Sequence, residues 1–221
     1  MRVVIVADGD VDAARLRHAA AVEGTLVVAA DGGALKAEAA GLLPDLVMGD
    51  GDSLGAADRK RLAAKGVEVR LVAPEKDETD TELCLREAIT RGATEIELFG
   101  AIGGPRPEHG FANMSLLGIP ALDGIPTVIR HERSSIRLIN ARDREIETTI
   151  EGEPGDLVSL LPVGDGVASI TTDGLRYPLS DEPLPFGPAR GISNELIGRR
   201  ASVRLHGGRL LIVHTQREGT A

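Results

Sequence analysis

The sequence predicts two domains: an N-terminal α/β domain with a parallel sheet in a Rossmann-like three-layer arrangement, and a C-terminal all-β sandwich. In the first part, short and nearly continuous apolar runs alternate with Ala- and Leu-rich stretches, which is typical of parallel strands buried on both faces. In the second part, strands of alternating polarity are separated by Gly, Pro and Asp turns. We therefore predict an α/β domain at residues 1–125 and a β sandwich at residues 126–221.

The α/β domain is predicted to contain five strands, and four of these short apolar runs are followed directly by Asp or Gly. They cover residues 3–7, 26–30, 46–48, 67–72 and 96–99. The spacing of apolar residues predicts helices near residues 11–22, 33–40, 56–65, 80–90 and 110–118. The fourth helix has the clearest bounds, because Thr79 and Glu82 fit a capping box and Gly92 supplies a C-terminal stop.

The second domain is predicted to contain strands at residues 135–140, 145–150, 157–163 and 201–205. Gly207 and Gly208 lie between apolar residues, which predicts a closing hairpin over residues 205–210 with the glycine pair at its tip. Residues 180–191 contain three prolines, and this composition predicts a long surface loop.

The chain is acidic, with an ordinary hydrophobic content. Of its 221 residues 42% are hydrophobic, and 34 Asp and Glu against 25 Lys and Arg give a net charge of −9. Because there is no dense Lys or Arg block, nucleic acid and anionic membranes are poor candidate partners. No apolar run approaches the ~20 residues of a bilayer span, and the single cysteine, Cys84, suits a reducing compartment. We expect a cytoplasmic protein.

Aspartates follow the predicted strands of the α/β domain at the point where each strand ends. They are Asp8, Asp31, Asp50, Asp52, Asp77 and Asp80. Any one of them could be a helix cap or turn former, but ligands bind at this edge of an open parallel sheet, and the recurrence in successive loops indicates one crevice. Crowded carboxylates need a cation, and oxygen-only ligands suit Mg²⁺, with Mn²⁺ left open. The predicted metal ligands are Asp31, Asp50, Asp52 and Asp80.

A magnesium-bound polyphosphate also needs positive charge and backbone donors near this edge. Lys76 lies in the loop after the fourth predicted strand, and Arg106 follows the glycine-rich stretch 100–104 after the fifth. Glycines there would let backbone N–H groups approach phosphates, and His109 at the start of the next helix could touch phosphate or base. Each of these three side chains could equally be a solvated residue near a turn.

Motifs of several other enzyme classes are absent from the sequence. There is no GxxxxGK[ST] loop, no GxGxxG after the first strand and no GxSxG elbow, which argues against P-loop NTPases, dinucleotide dehydrogenases and α/β-hydrolases. Cys84 has no evident activating partner and is predicted to be an inert packed thiol. The histidines without metal-ligand spacing are His18, His131, His206 and His214.

Together, these motifs resemble those of thiamine pyrophosphokinases over nearly the whole chain. The matching segments occur in the family's order and are Asp31 to Gly33, Pro44-Asp45, Gly49 to Ser53, Lys76 to Asp80, Gly100 to Gly104 with His109 and Asn113, Gly174 to Leu179, and Ser193 to Glu195. The resemblance implies transfer of the pyrophosphoryl group of ATP to the hydroxyl of thiamine, with release of AMP. It also implies an α/β catalytic domain, a thiamine-binding sandwich, and a homodimer with shared active sites.

The resemblance further implies roles for individual residues. Those that would bind ATP are Asp31, Gly32, Asp50, Thr79, Arg106 and His109. Those that would carry out catalysis are Asp52, Asp77, Asp80 and Lys76. Those that would contact thiamine are Tyr177, Ser193 and Asn194. For Ser193 and Asn194, a hairpin turn or strand-edge hydrogen bonds are the alternative role.

The chain departs from the family's pattern at two places. Gly51 stands between the paired aspartates where the family usually has an aromatic residue, and this predicts weaker packing of the loop. The family's Gly-Gly-Arg-x-Asp-His becomes residues 103–109 here, with one more residue and a proline on each side of Arg106. Two other functions therefore stay open, namely transfer to another hydroxymethyl acceptor such as a pterin, and nucleotide binding without catalysis.

Overall fold

Residues 1–132, all described by the structure, form a parallel six-stranded sheet with helices between its strands. The computed structural model describes residues 1–218, with position 143 described by its backbone alone, and the chain divides into the units Met1–Glu132 and Arg133–Ala221. The strands of the first unit are Arg2–Val6 (β1), Leu26–Ala30 (β2), Leu46–Gly49 (β3), Glu68–Leu71 (β4), Glu95–Phe99 (β5) and Thr127–His131 (β6). The helices are Ala13–Ala20 (α1), Gly33–Ala39 (α2), Ala56–Ala64 (α3), Asp80–Thr90 (α4) and Pro107–Leu116 (α5), and a 3-10 turn covers Pro120–Leu122.

The strand order in this sheet is β6-β5-β1-β2-β3-β4, and its central strands are almost completely buried. Val4 and Val6 of β1 pack against Leu16 of α1, and Ala29 of β2 packs in a second cluster with Leu62 of α3. Continuous apolar strands are stable only when both faces of the sheet are covered in this way. The predicted three-layer α/β fold is confirmed.

The predicted elements of this unit are confirmed, with small shifts at their ends. Helix α5 begins at Pro107 instead of near residue 110, because proline is favoured in the first turn of a helix. Thr79 Oγ1 accepts a hydrogen bond from the backbone N–H of Glu82 at 3.2 Å, as the capping box requires. Gly92 has φ 77° just after α4, which is a typical helix stop. The cap fixes Asp80 as the first residue of α4.

The first unit contains one strand more than the sequence predicted. Strand β6 pairs in parallel with β5, so that Ile129 lies opposite Leu98. Its apolar run is shorter than those of its neighbours for a specific reason: Arg130 forms an ion pair with the buried Glu97 at 2.5 Å. A sheet strand that carries an ion pair on one face does not show the continuous apolar run of its neighbours.

In the second unit, all strand pairs within residues 133–218 are antiparallel. Its strands are Ser134–Glu151 (β7), Leu157–Asp173 (β8), Glu182–Leu184 (β9), Asn194–Glu195 (β10) and Arg200–Thr215 (β11), and β11 lies between β7 and β8. Residues from both halves of each long strand pack in one core, as Ile139 and Ile150 of β7 do with Leu205 and Ile212 of β11. The strands therefore fold over a shared interior, and the predicted all-β sandwich is confirmed.

Three details of the predicted second domain are wrong. Residues 205–210 do not form a hairpin, because β11 continues through them and the register shifts at Gly208. Gly207 and Gly208 have φ values of 66° and 87°, a conformation that suits a β-bulge as well as a hairpin tip. The segments 135–140 and 145–150 belong to one strand, β7. The proline-rich stretch 180–191 contains β9, which pairs with β8.

Candidate active site

A crevice of about 460 Å³ opens at the carboxyl edge of the parallel sheet, where the loops after its strands meet. Its polar and charged lining residues are Asp8, Asp31, Asp50, Asp52, Ser53, Lys76, Thr79, Asp80, Thr81, Arg106, His109 and Asn113. Its glycines are Gly9, Gly32, Gly100, Gly103 and Gly104. An open parallel sheet binds ligands at this edge because the loops there converge from several strands.

The structure brings together the four aspartates predicted as metal ligands. One carboxylate oxygen from each of Asp31, Asp50, Asp52 and Asp80 lies within 4.8 Å of the others. Asp31 is buried, Asp50 and Asp80 are partly buried, and Asp52 is exposed. The four residues come from the ends of β2 and β3 and from the start of α4. Like charges held this close repel one another, so the arrangement is suited to a bound cation.

Asp31 holds the two neighbouring loops together. Its Oδ2 accepts hydrogen bonds from the backbone N–H groups of Ser53 at 2.7 Å and Leu54 at 3.2 Å. Its φ is 40°, a left-handed conformation that Asp tolerates better than most residues. Burial raises the pKa of Asp31, and the nearby Asp52 and Asp80 raise it further, although the two backbone N–H groups act in the opposite direction.

Asp50 and Asp52 flank a tight turn at Gly51. Asp50 Oδ1 accepts a hydrogen bond from the backbone N–H of Asp52 at 3.1 Å, and Gly51 has φ 79°. The expectation that Gly51 weakens the packing of this loop is wrong, because the guanidinium of Arg59 fills the space beside it. Arg59 Nη1 donates to the carbonyl oxygen of Gly51 at 2.9 Å and also to that of Leu54.

Lys76 lies between two of the carboxylates. Its Nζ donates a hydrogen bond to Asp50 Oδ2 at 3.0 Å, and this bond lowers the pKa of Asp50. The same nitrogen lies 3.2 Å from Asp80 Oδ1, but there the contact is an ion pair without hydrogen-bond alignment, so this buried oxygen keeps unused acceptor capacity. Burial raises the pKa of Asp80 despite the lowering effect of Lys76. Burial also lowers the pKa of Lys76, but the two carboxylates outweigh this effect and raise it overall.

The glycine-rich loop after β5 also lines the crevice. Gly100, Gly103 and Gly104 have positive φ values, and a side chain on Gly100 would overlap the carbonyl oxygen of Ala7. The buried amide of Asn113 donates to the carbonyl oxygen of Ala101 at 2.8 Å and so ties this loop to α5. Such a loop leaves backbone groups open to an incoming ligand.

Arg106 and His109 both line the crevice at the start of α5. Arg106 Nε donates to Glu108 Oε1 at 2.8 Å, and both side chains are mostly exposed. This exposed ion pair leaves the guanidinium able to reorient, because surface pairs contribute little stability. The longer loop with its two prolines therefore still brings Arg106 to the crevice.

Two groups of residues differ from the predicted site. Asp77 is exposed and lies outside the crevice lining, although it is three residues from Asp80 in sequence. Asp8, which was predicted at this edge without a specific role, lines the crevice together with Ser53 and Thr81, to which no role was assigned. Asp8 directly follows the first apolar run and Ser53 belongs to the matching segment Gly49 to Ser53, so both had a signal in the sequence, whereas no pattern gave Thr81 a role in the site.

The predicted thiamine-contacting residues lie in the second unit. The buried side chain of Asn194 accepts a hydrogen bond from Tyr177 N at 3.0 Å and donates to Tyr177 O at 2.7 Å, which links two separate segments. Ser193 is exposed with φ 56°, and its backbone N–H donates to Ser159 Oγ at 3.1 Å. The ring of Tyr177 is exposed, and the Arg176 guanidinium lies 5.9 Å from its centre.

An α/β unit with a cluster of carboxylates and a lysine at the ligand-binding edge of its sheet, followed by an all-β unit, is suited to an enzyme that binds a cation-bridged phosphate compound. Two family models match the chain: "Thiamin pyrophosphokinase, catalytic domain" at residues 18–129 and "Thiamin pyrophosphokinase, vitamin B1 binding domain" at residues 144–210. The chain belongs to the thiamin pyrophosphokinase family.

Individual relatives agree with this assignment. A thiamine pyrophosphokinase of Bacillus subtilis is 28% identical over 193 residues, which cover 87% of this chain and 88% of the relative. A crystal structure of a B. subtilis thiamine pyrophosphokinase has a TM-score of 0.84 and covers 98% of this chain and 99% of its own. A thiamin pyrophosphokinase structure from Geobacillus thermodenitrificans, also 28% identical, has a TM-score of 0.83 and covers 100% of both chains.

Proposed function

We propose that this protein transfers the pyrophosphoryl group of ATP to the hydroxyl of thiamine and releases AMP. The observation that carries the proposal is the convergence of four carboxylates and Lys76 in the crevice of a chain from this family. A polyphosphate bridged by a cation suits a site that combines crowded negative charge with one fixed positive charge. The first unit would be the catalytic domain, and the second would bind thiamine.

The residues of the crevice fit a divalent cation. All four carboxylates offer oxygen ligands, and the buried Oδ1 of Asp80 has no aligned hydrogen-bond donor among the described residues. Hard oxygen ligands of this kind suit Mg²⁺, and Mn²⁺ accepts the same set. We assign Asp31, Asp50, Asp52 and Asp80 as the residues that would hold the ion, which would neutralise charge on the phosphates of ATP.

Several other lining residues would contact ATP itself. Gly32 and the glycines after β5 offer close backbone approach, and Thr79 lies beside the carboxylates at the start of α4. Arg106 and His109, which also line the crevice, would interact with the phosphates or the base. These positions divide the crevice into an acidic wall for the cation and a glycine-rich wall for the nucleotide.

The transfer itself is an in-line substitution at the β-phosphorus. The hydroxyl oxygen of thiamine forms a bond to this phosphorus while the bond to the oxygen that bridges the α- and β-phosphates breaks, and AMP leaves. Lys76 would stabilise the charge that develops on the transferred group, because its pKa is raised and it stays protonated. Asp80 would orient the hydroxyl and accept its proton, whereas the predicted alternative, Asp77, lies outside the crevice lining. Positioning and charge stabilisation supply most of the acceleration in this class of reaction.

For thiamine we propose contacts from Tyr177, Ser193 and Asn194, in a homodimer with shared active sites. The family model for vitamin B1 binding spans all three residues, and the exposed ring of Tyr177 offers a surface for stacking. Light scattering should give a dimer mass. Mixing an Asp52→Asn variant with a Ser193→Trp variant should restore activity if each active site takes residues from two chains.

We also propose that the protein works in the cytoplasm. Its single cysteine, Cys84, is buried and unpaired, which suits a reducing compartment. Cell fractionation with an antibody against the protein would check this location, and recovery in a membrane or secreted fraction would contradict it.

The test of the reaction is to incubate the purified protein with ATP, MgCl₂ and thiamine and to separate nucleotides and thiamine species by chromatography. Thiamine pyrophosphate and AMP should form in equal amounts, and a folded Asp52→Asn variant should form neither. AMP formation only with a hydroxymethylpterin would identify a different acceptor. Magnesium-dependent ATP binding without AMP under any of these conditions would identify a non-catalytic nucleotide-binding protein.

A further inference from the structure

Arg59 in α3 contacts the loop that carries Asp50 and Asp52, but not through their carboxylates. Its Nη1 donates to the carbonyl oxygen of Gly51 at 2.9 Å and to that of Leu54. Within the described residues, these are the hydrogen bonds of its side chain, and it forms no ion pair there. Arg59 Nη1 therefore connects Gly51, in the middle of the turn, to Leu54 at its end.

Gly51 and Arg59 fit one another. A Cβ atom built on Gly51 would overlap Arg59 Nη1 and would lie 2.9 Å from Cζ, so the guanidinium occupies the place of a side chain. The φ of 79° at Gly51 is a conformation that glycine adopts without steric cost. Gly51 thus permits the backbone conformation of the turn, and Arg59 restrains the turn through its hydrogen bonds.

We propose that Arg59 is a positioning residue that holds the Asp50 to Asp52 turn in the geometry required for cation binding. The proposal rests on the proposed function, because it requires a cation at the four carboxylates. Carboxylates this close repel one another when no cation is bound, so an unrestrained turn would move Asp50 and Asp52 apart. The bonds from Arg59 oppose that movement before the ion arrives.

Charge alone predicts the opposite effect for this residue. An arginine near a cation site repels the ion, so its removal should tighten cation binding if Coulomb interactions were its sole influence. A positioning role predicts weaker binding, because two hydrogen bonds that restrain the turn are lost. The sign of the change therefore distinguishes the two effects.

The experiment compares Arg59→Met with Arg61→Met, a matched control in the same helix. Arg61 loses the same charge, but it pairs with Glu38 and Asp58 and not with the turn. Binding of Mn²⁺ is measured by electron paramagnetic resonance without ATP, below the unfolding temperature of each variant. Arg59→Met should weaken Mn²⁺ binding about tenfold, as expected from the loss of two restraining hydrogen bonds, whereas Arg61→Met should bind like the wild type.

Two further variants keep the proposal testable if Arg59→Met does not fold. Arg59→Lys retains a donor and should bind Mn²⁺ with intermediate affinity. Gly51→Ala should displace the guanidinium and weaken binding as well. Equal or tighter Mn²⁺ binding by folded Arg59 variants would overturn the positioning role even if their unfolding temperatures fall. Failure of the wild-type protein to bind Mn²⁺ would overturn the proposed cation site and this inference with it.

Discussion

Asp31→Asn tests whether the four clustered carboxylates bind a cation, because it removes one negative charge and leaves the surrounding structure in place. Asp31 is 4% exposed, has φ 40°, and accepts hydrogen bonds from the backbone N–H groups of Ser53 and Leu54. Asparagine tolerates left-handed backbone angles and keeps one acceptor oxygen. The substitution therefore preserves both the loop conformation and its hydrogen bonds, and removes the negative charge.

This change should affect folding and cation binding in opposite directions. Burial raises the pKa of Asp31, so its ionised form opposes folding of the metal-free protein. Two unit charges ~4 Å apart interact by about 4 kcal/mol at an effective dielectric constant of ~20, and an open crevice screens part of this energy. We expect cation binding to lose about 2–3 kcal/mol, or roughly 30- to 150-fold in affinity. The free energy of unfolding without metal should stay the same or rise.

The assay pairs isothermal titration with Mg²⁺ or Mn²⁺ with urea unfolding in EDTA. Asp45→Asn is the matched control, because Asp45 also accepts a backbone N–H, that of Val27 at 2.8 Å, but does not line the crevice. The control should bind the cation like the wild type. Affinity of Asp31→Asn within about threefold of the wild type would contradict the role of Asp31 as a metal ligand. A metal-free variant clearly less stable than the wild type would contradict the destabilising effect of the buried charge.

Three other predictions concern stability and reactivity. Burial of Glu97 raises its pKa, but ion pairs with Arg130 and Arg2 outweigh this effect and lower the pKa overall. The ionised Glu97 should therefore stabilise the folded protein fully above its unfolded pKa of ~4.3, and this stabilisation should be lost as the pH falls through its pKa in the folded protein. Glu97→Gln should lower the free energy of unfolding by about 3–5 kcal/mol at pH 7, and urea unfolding should show that this free energy then varies less with pH in the acidic range. An unchanged pH dependence would contradict this prediction. Asn194→Ala should destabilise the protein by about 2–4 kcal/mol in urea unfolding, because the buried amide forms hydrogen bonds with the backbone N–H and the carbonyl oxygen of Tyr177. A variant that keeps full stability but loses thiamine affinity would instead indicate that Asn194 contacts thiamine directly. Burial raises the pKa of the Cys84 thiol, so it should react with a thiol reagent only in denaturant, and rapid labelling of the native protein would refute this.

Local features of the fold were predictable because they depend on neighbours in sequence. The cap of α4 requires only Thr79 and Glu82, three residues apart, and both make the expected contact. The positions of the aspartates followed from the same reasoning, since each lies in the loop after an apolar run or at the start of the next helix. The family resemblance then joined these separate loops into one site, and the family assignment agrees with it.

Other features depend on contacts that the sequence pattern does not contain. Gly207 and Gly208 permit either a hairpin or a bulge, and the pairing of β11 with β7 and β8 on both sides selects the bulge. Strand β6 was missed because Arg130 interrupts its apolar run, and the partner of this arginine, Glu97, is distant in sequence.

The sequence by itself determined the first five strands and the five helices, the two fold classes and the set of aspartates in the loops after the strands, because periodicity and capping act over a few residues. The tertiary structure decided which of these residues meet. Asp80 joins the carboxylate cluster and the nearby Asp77 does not, because the start of α4 directs one side chain into the crevice and leaves the other exposed. The contact between Arg59 and Gly51 likewise arises only when α3 folds back over its preceding turn.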